Sequence, residues 1–261
     1  QLSLEEAGPS DIEKLVANYQ QNLPDMSALK NMASDTWAGT DILGRVLPTN
    51  EGEESTVNSD KVVGMFFWNW NYGDNFLDGQ DSPIYDISER QANGEGPGPF
   101  YSAQHWGESV YGYYSALDPW VIRRQGELLA DAGVDVIFFD CTNGDLTWRS
   151  AYLELIKVWN QLLCEGANMP KVSFILPFGM NSNNVTNLEN LYEWLYEPGL
   201  YKDCWYYLDG KPLILNGLTN STPEYLKDFF SSKPVIATYN NAAPSTPTNA
   251  MTWLELYPQN K

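Results

Sequence analysis

The apolar run Val134-Asp135-Val136-Ile137-Phe138-Phe139 ends on a carboxylate, Asp140, and opens at once into the polar stretch Cys141-Thr142-Asn143-Gly144-Asp145. Polar residues that follow a buried strand directly are the ones a (β/α) barrel turns toward its active face. A second carboxylate, Glu255, sits in Trp253-Leu254-Glu255-Leu256-Tyr257, where strand alternation puts Trp253, Glu255 and Tyr257 on one face. Two carboxyl groups flanking one bond are what glycoside hydrolysis needs. One protonates the leaving oxygen, and the other stabilises or attacks the sugar carbon. The structural alternatives are that Asp140 caps the next helix or pairs with an arginine, and that Glu255 lies on an exposed edge strand.

The segment Gln104-His105-Trp106-Gly107-Glu108 holds the one histidine of the chain, beside an aromatic ring and a third candidate carboxylate, Glu108. It falls in the longest loop-like stretch, which would overhang the strand ends, so His105 and Glu108 are read either as contacts to sugar hydroxyls or as loop braces. Trp68 and Trp70 share a face at the end of the first apolar strand, where an indole can stack on a pyranose. With Trp106, Tyr114 and Asn143 they complete the expected substrate-binding set; Asp140, Glu255 and Glu108 form the expected catalytic set.

Other chemistries find little support. Phe76 stands where a calcium loop of Asp74, Asp78 and Asp81 needs an oxygen ligand. Cys141, Cys164 and Cys204 have no metal-ligand spacing, and they allow at most one disulfide. No G-x-S-x-G elbow occurs, and Trp68-Asn69-Trp70-Asn71-Tyr72 stands where a dinucleotide fold carries its glycines. We therefore expect no metal and no cofactor.

The elements that would position these residues alternate. Val62–Trp68, Val134–Asp140, Val172–Leu176, Pro212–Leu215, Val235–Tyr239 and Met251–Leu256 read as strands, with Asp209-Gly210 as a tight turn between Trp205–Leu208 and Pro212–Leu215. Helices are expected from Asp118-Pro119 to Gly133, from about Thr147 to Glu165, from a Thr186/Glu189 capping box, and from Thr222-Pro223 through Phe230. Ser10-Asp11-Ile12-Glu13 opens a short lead-in helix. The stretch from Asn69 to Gly107 reads as one long loop. The expected architecture is α/β, a (β/α)8 TIM-type barrel left incomplete at about six strands, with residues 1–60 as a lead-in and 61–261 as the barrel domain. Six strands against eight suggest a truncated chain.

Composition narrows the partners. Hydrophobic residues make up 43% of the 261, aromatics 14%, with 10 Trp and 16 Tyr, and 34 acidic against 15 basic residues give a net charge of −19. Such a field repels phosphate backbones and anionic lipid, so neither nucleic acid nor membrane insertion is expected. No run of ~18 apolar residues could span a bilayer. Two glycosylation sequons, Asn184-Val185-Thr186 and Asn220-Ser221-Thr222, fit export from a host that glycosylates proteins, and a secreted or cell-surface location is expected.

Four features in order resemble the endo-α-mannosidase family, glycoside hydrolase family 99. They are Trp68 at the end of an aromatic first strand, Gly112-Tyr113-Tyr114-Ser115 before Asp118-Pro119, Ala130-Asp131-Ala132-Gly133-Val134-Asp135, and the strand closing on Asp140. The resemblance spans about Val62 to Leu215. It implies a (β/α) barrel and retaining cleavage of α-linked glycans by carboxylates, without metal or organic cofactor. Asn69 and Asn71 depart from the family. The family's late Asn-Glu-Trp segment, which carries its acid/base glutamate, is absent from this sequence, so the resemblance assigns no family role to Asp140 or Glu255. The expected function is hydrolysis of an α-linked polysaccharide or glycan. A non-catalytic carbohydrate-binding barrel is the alternative, and a polysaccharide lyase a third.

Overall fold

The computed structural model describes residues 39–46, 61–69, 85–96, 104–178 and 183–237, and the backbone of 251–254. The chain is a mixed α/β protein built on a parallel sheet. Its strands are β1 (Gly64–Phe67), β2 (Tyr85–Asp86), β3 (Gln104–His105), β4 (Val136–Asp140), β5 (Lys171–Ile175), β6 (Tyr207–Leu208), β7 (Lys211–Leu215), β8 (Ser231–Lys233), β9 (Val235–Ala237) and β10 (Met251–Leu254). Its helices are α1 (Ile87–Ala92), α2 (Pro119–Asp131), α3 (Arg149–Cys164), α4 (Asn183–Leu191) and α5 (Glu224–Phe229).

The main sheet runs β1-β4-β5-β7-β8, every one of these neighbours parallel and in chain order, and β6 folds back on β7 as an antiparallel hairpin. Asp209 and Gly210, both at positive φ, make its turn. β9 pairs in parallel with β10. Only Pro234 separates β8 from β9. Proline has no N–H to give a ladder, so one extended run is split into two short strands with different partners. Among the described strands of this sheet the order does not reverse, unlike a doubly wound sheet, where a reversal creates the ligand crevice.

Alternation along the strands sorts the core into two layers. Ile137, Phe139, Val172, Phe174, Leu176 and Ile214 pack with Ile122, Trp159, Leu188 and Leu226 from α2, α3, α4 and α5. Val136, Phe138, Ile175, Leu213, Leu215 and Val235 form a smaller cluster that contains no helix residue. Among the described residues the sheet thus has a helix-covered face and a helix-free face, and Asp140 has the parity of Val136 and Phe138. Gly64 permits this inner packing: a Cβ there would lie 2.6 Å from the Phe138 ring.

The helices start and stop as their caps dictate. Asp118 accepts from Trp120 N at 2.9 Å and Val121 N at 3.2 Å, Pro119 opens α2, and Gly133 at φ 76° receives the turn that ends it. Several expectations need correction. The stretch from Asn69 to Gly107 is not featureless: it contains β2, α1 and β3. Asp86 caps α1 by accepting from Ser88 N and Glu89 N, and Asp86-Ile87-Ser88-Glu89 was a legible capping pattern. α4 begins at Asn183, three residues before Thr186, because buried Asn184 and Asn187 anchor its first turns. Ser231–Lys233 is an unforeseen strand, drawn into the ladder by β7 despite its polar sequence. The three cysteines are free thiols. The expected lead-in helix from Ser10 lies outside the described residues.

Candidate functional site

Asp140 closes β4 on the helix-free face and is 2% exposed. Its Oδ1 accepts the Thr142 amide at 2.9 Å, which turns the chain out of the strand. The N-cap position of α3 belongs to Trp148, not to Asp140. Burial raises the Asp140 carboxyl above the ordinary aspartate range, and hydrogen bonds from the Thr142 side chain and amide pull it partly back.

β1 lies beside β4 with Phe67 opposite Phe139, so Trp68 follows at the level of Asp140. Trp68 is 45% exposed and Phe66, two residues earlier on the same face, 37%. The C-terminal edge of the sheet therefore presents a buried carboxyl beside exposed aromatic surface. Asn69, whose identity departs from the resembled family, has a definite task here. Its buried side chain donates to the Ala116 carbonyl at 3.3 Å and ties the segment before α2 to the end of β1.

That segment carries the histidine cluster. His105 is buried, with its ring edge-on to Tyr113 at 5.3 Å and Tyr114 at 5.8 Å. Its buried Nε2 has no hydrogen-bond partner among the described residues. Burial lowers its pKa, and the nearby Asp86 charge opposes the shift. Asp86 pairs in register with His105 across β2 and β3 and accepts the Tyr113 hydroxyl at 2.5 Å. The Tyr113 phenol is consequently raised to about 12.

The remaining expected residues divide. Trp106 is 66% exposed, and Glu108 and Asn143 are exposed. The Tyr114 hydroxyl is engaged by Gln125 of α2 at 3.2 Å, so it braces the segment against the helix. Glu255 and Trp70 lie outside the described residues. Among the described residues no group of three His, Cys, Asp or Glu side chains could hold a metal ion, and no helix is long and apolar enough to cross a membrane.

The C-terminal strand ends are also held by a set of amides that sequence reasoning missed. Asn184 donates to the Pro177 and Asn216 carbonyls, and Asn187 to those of Cys141 and Gly144. Asn216, at φ 64°, donates to the Leu176 carbonyl and accepts the Val235 amide. These contacts fix the loops after β4, β5 and β7 relative to one another.

No protein-family model and no curated protein matches this chain. Among solved structures it has a distant structural likeness to the GH99 endo-alpha-mannosidase from Bacteroides thetaiotaomicron in complex with bis-tris-propane, at 19% identity and TM-score 0.40, over 69% of this chain and 54% of that one. A second structure of a GH99 endo-alpha-mannosidase from Bacteroides thetaiotaomicron aligns at 24% identity and TM-score 0.34, over 58% of this chain and 44% of that one. The chain spans about half the length of the solved structures it matches.

Proposed function

We propose that this chain is the sugar-cleaving part of a (β/α) barrel protein that acts on an α-linked glycan, with Asp140 as an acid/base carboxyl and Trp68 as a stacking surface for a sugar ring. One observation carries the reading. Asp140 closes an inner parallel strand on the helix-free face, is desolvated there, and has exposed Trp68 beside it. A carboxyl raised above its usual range keeps its proton nearer to neutral pH and can donate it to a glycosidic oxygen as that bond breaks. The second carboxylate would come from Glu255 or Glu108. A roughly 5 to 5.5 Å separation from Asp140 suits direct attack on the sugar, and a roughly 6.5 to 9.5 Å separation leaves room for a water. On this reading the protein works at the cell surface or outside it, where polymeric glycans are met.

The test is incubation with a panel of mannans, glucans and N-glycans, followed by product analysis of the wild type and of Asp140→Asn. Cleavage with about 100-fold or greater loss in the variant is the expected result. Binding without product from any glycan would replace catalysis with carbohydrate binding, and an unsaturated product absorbing in the ultraviolet would make the protein a lyase. Full activity in Asp140→Asn would remove Asp140 from the mechanism.

A further inference from the structure

A groove of about 370 Å³ is lined by Asp145, Leu146, Thr147, Trp148, Arg149, Asn190 and Trp194. Asp140 is not among its lining residues: its walls are the β4–α3 loop, the start of α3, and the α4 segment with the turn that follows it. A groove of this size suits one or two sugar rings.

Its walls are built to stay in place. Trp148 is buried at 5% exposure and adopts φ 55° and ψ 51°, a left-handed conformation unusual for a bulky residue. Asn187, fully buried one helical turn before Asn190, donates to the Gly144 carbonyl at 3.0 Å and fixes the loop beside Asp145. α4 passes into a π-helical turn, Tyr192–Tyr196, closed by the Glu197 amide donating to the Tyr192 carbonyl at 2.8 Å. Such wide turns recur at functional positions. Here the turn carries Trp194. The Arg149 guanidinium carbon lies 4.0 Å from the centroid of the Trp194 ring, so a cation is held over the indole face.

We propose that this groove is a second glycan-binding site, taking a neutral, hydroxyl-rich ring and holding a polymer beside the Asp140 face. The ligand class rests on the glycan reading above, and the location rests on the groove. The lining residues carry one negative and one positive side chain, Asp145 and Arg149, so no net charge selects an anion. A carboxylate, an amide and a guanidinium offer acceptors and donors to vicinal hydroxyls. Indole edges supply the apolar contact.

The experiment is titration of the full chain with mannotriose and maltotriose, followed by tryptophan fluorescence and by retardation in gels containing the matching polymer. It is applied to the wild type, Trp194→Ala and Asn190→Ala. Asn190 is half-buried on the helix surface, so Asn190→Ala keeps the test open should Trp194→Ala fold poorly. The expected result is affinity at least tenfold weaker in both groove variants than in the wild type. Wild-type binding that both groove variants retain would overturn the groove while leaving the glycan reading intact. Binding of neither trisaccharide nor polymer by the wild type would overturn both. Inorganic phosphate that binds in the groove, and is lost in Arg149→Gln, would make it an anion site instead.

Discussion

The side-chain amide of Asn184 donates to the Asn216 carbonyl at 2.7 Å and to the Pro177 carbonyl at 3.1 Å, so one buried residue of α4 joins the ends of β5 and β7. Both carbonyls lie past the strand ladder, and among the described residues no backbone amide of a turn or loop donates to them. Removing a donor from buried acceptors costs about 1–3 kcal/mol for each group left unsatisfied. Asn184→Ala should therefore destabilise the protein by about 2–5 kcal/mol, read by denaturant unfolding. The same burial blocks modification of the first sequon. Expressed through a glycosylating secretory route, the chain should carry glycan at exposed Asn220 and none at Asn184. Intact-mass analysis showing occupancy at Asn184 in folded protein would contradict this account.

What the sequence disclosed, and what it hid, follows from the range of the interactions. Val136–Asp140 and Lys171–Ile175 were legible as buried strands because each is a short, β-rich apolar run with turn residues beside it. The α2 boundaries were legible because Asp118, Pro119 and Gly133 act on their own neighbours. β8 was hidden because Ser231-Ser232-Lys233 has no strand pattern of its own and is recruited by β7 across fifteen intervening residues. Of the candidate site, Asp140 was legible from its place after an apolar run. Asn184, Asn187 and Asn216 were not, since an asparagine that bridges distant carbonyls looks the same in sequence as one in a solvated turn. Arg149 and Trp194 meet only after two helices pack, and nothing local announces the pair.

Gly126 in α2 gives a second stability test. A Cβ at this position would lie 2.4 Å from both Met169 Cε and Trp159 Nε1. The Trp159 indole is fixed in turn by its hydrogen bond to the Ile122 carbonyl at 3.1 Å. Alanine is favoured over glycine within a helix by up to ~1 kcal/mol, but overpacking a close-packed contact costs ~1–3 kcal/mol. The contact should win. Gly126→Ala is expected to lower stability, whereas a gain in Tm would mean that α2 and α3 separate easily.

Asp140 links chemistry to stability with a definite sign. Its pKa is raised on folding by burial, so the stability it contributes is fully present below the ordinary aspartate pKa and is lost as pH rises through the raised folded value. As pH rises, ionisation of this desolvated carboxyl costs the folded state free energy. Asp140→Asn removes that charge and keeps an oxygen for the Thr142 amide. The variant should therefore equal or exceed the wild type in Tm at pH 7, with the difference closing toward pH 4, while turnover falls about 100-fold. A large loss of Tm in the variant at neutral pH would show that the carboxylate serves the fold.

The His105 cluster should respond to acid in the opposite direction. Burial lowers the His105 pKa, so the folded protein favours the neutral ring, and stability is present above the ordinary histidine pKa and lost as pH falls through the lowered folded value. Among the described residues the groups facing the ring are Asp86, whose charge opposes the shift, and the rings of Tyr113 and Tyr114. His105→Gln should flatten the fall in Tm between pH 7.5 and 5. The Asp86 carboxyl is held below its usual range first by the Tyr113 hydroxyl and then by the amides at the start of α1. Asp86→Asn removes the charge that holds the Tyr113 phenol at about 12, and labelled-tyrosine NMR should follow that phenol back toward the unperturbed value near 10. If Tyr113 titrates unchanged in Asp86→Asn, the hydroxyl-to-carboxylate bond does not control it. If the acid slope is also unchanged in His105→Gln, the His105, Asp86 and Tyr113 side chains do not act as one coupled unit beneath the segment that leads into α2.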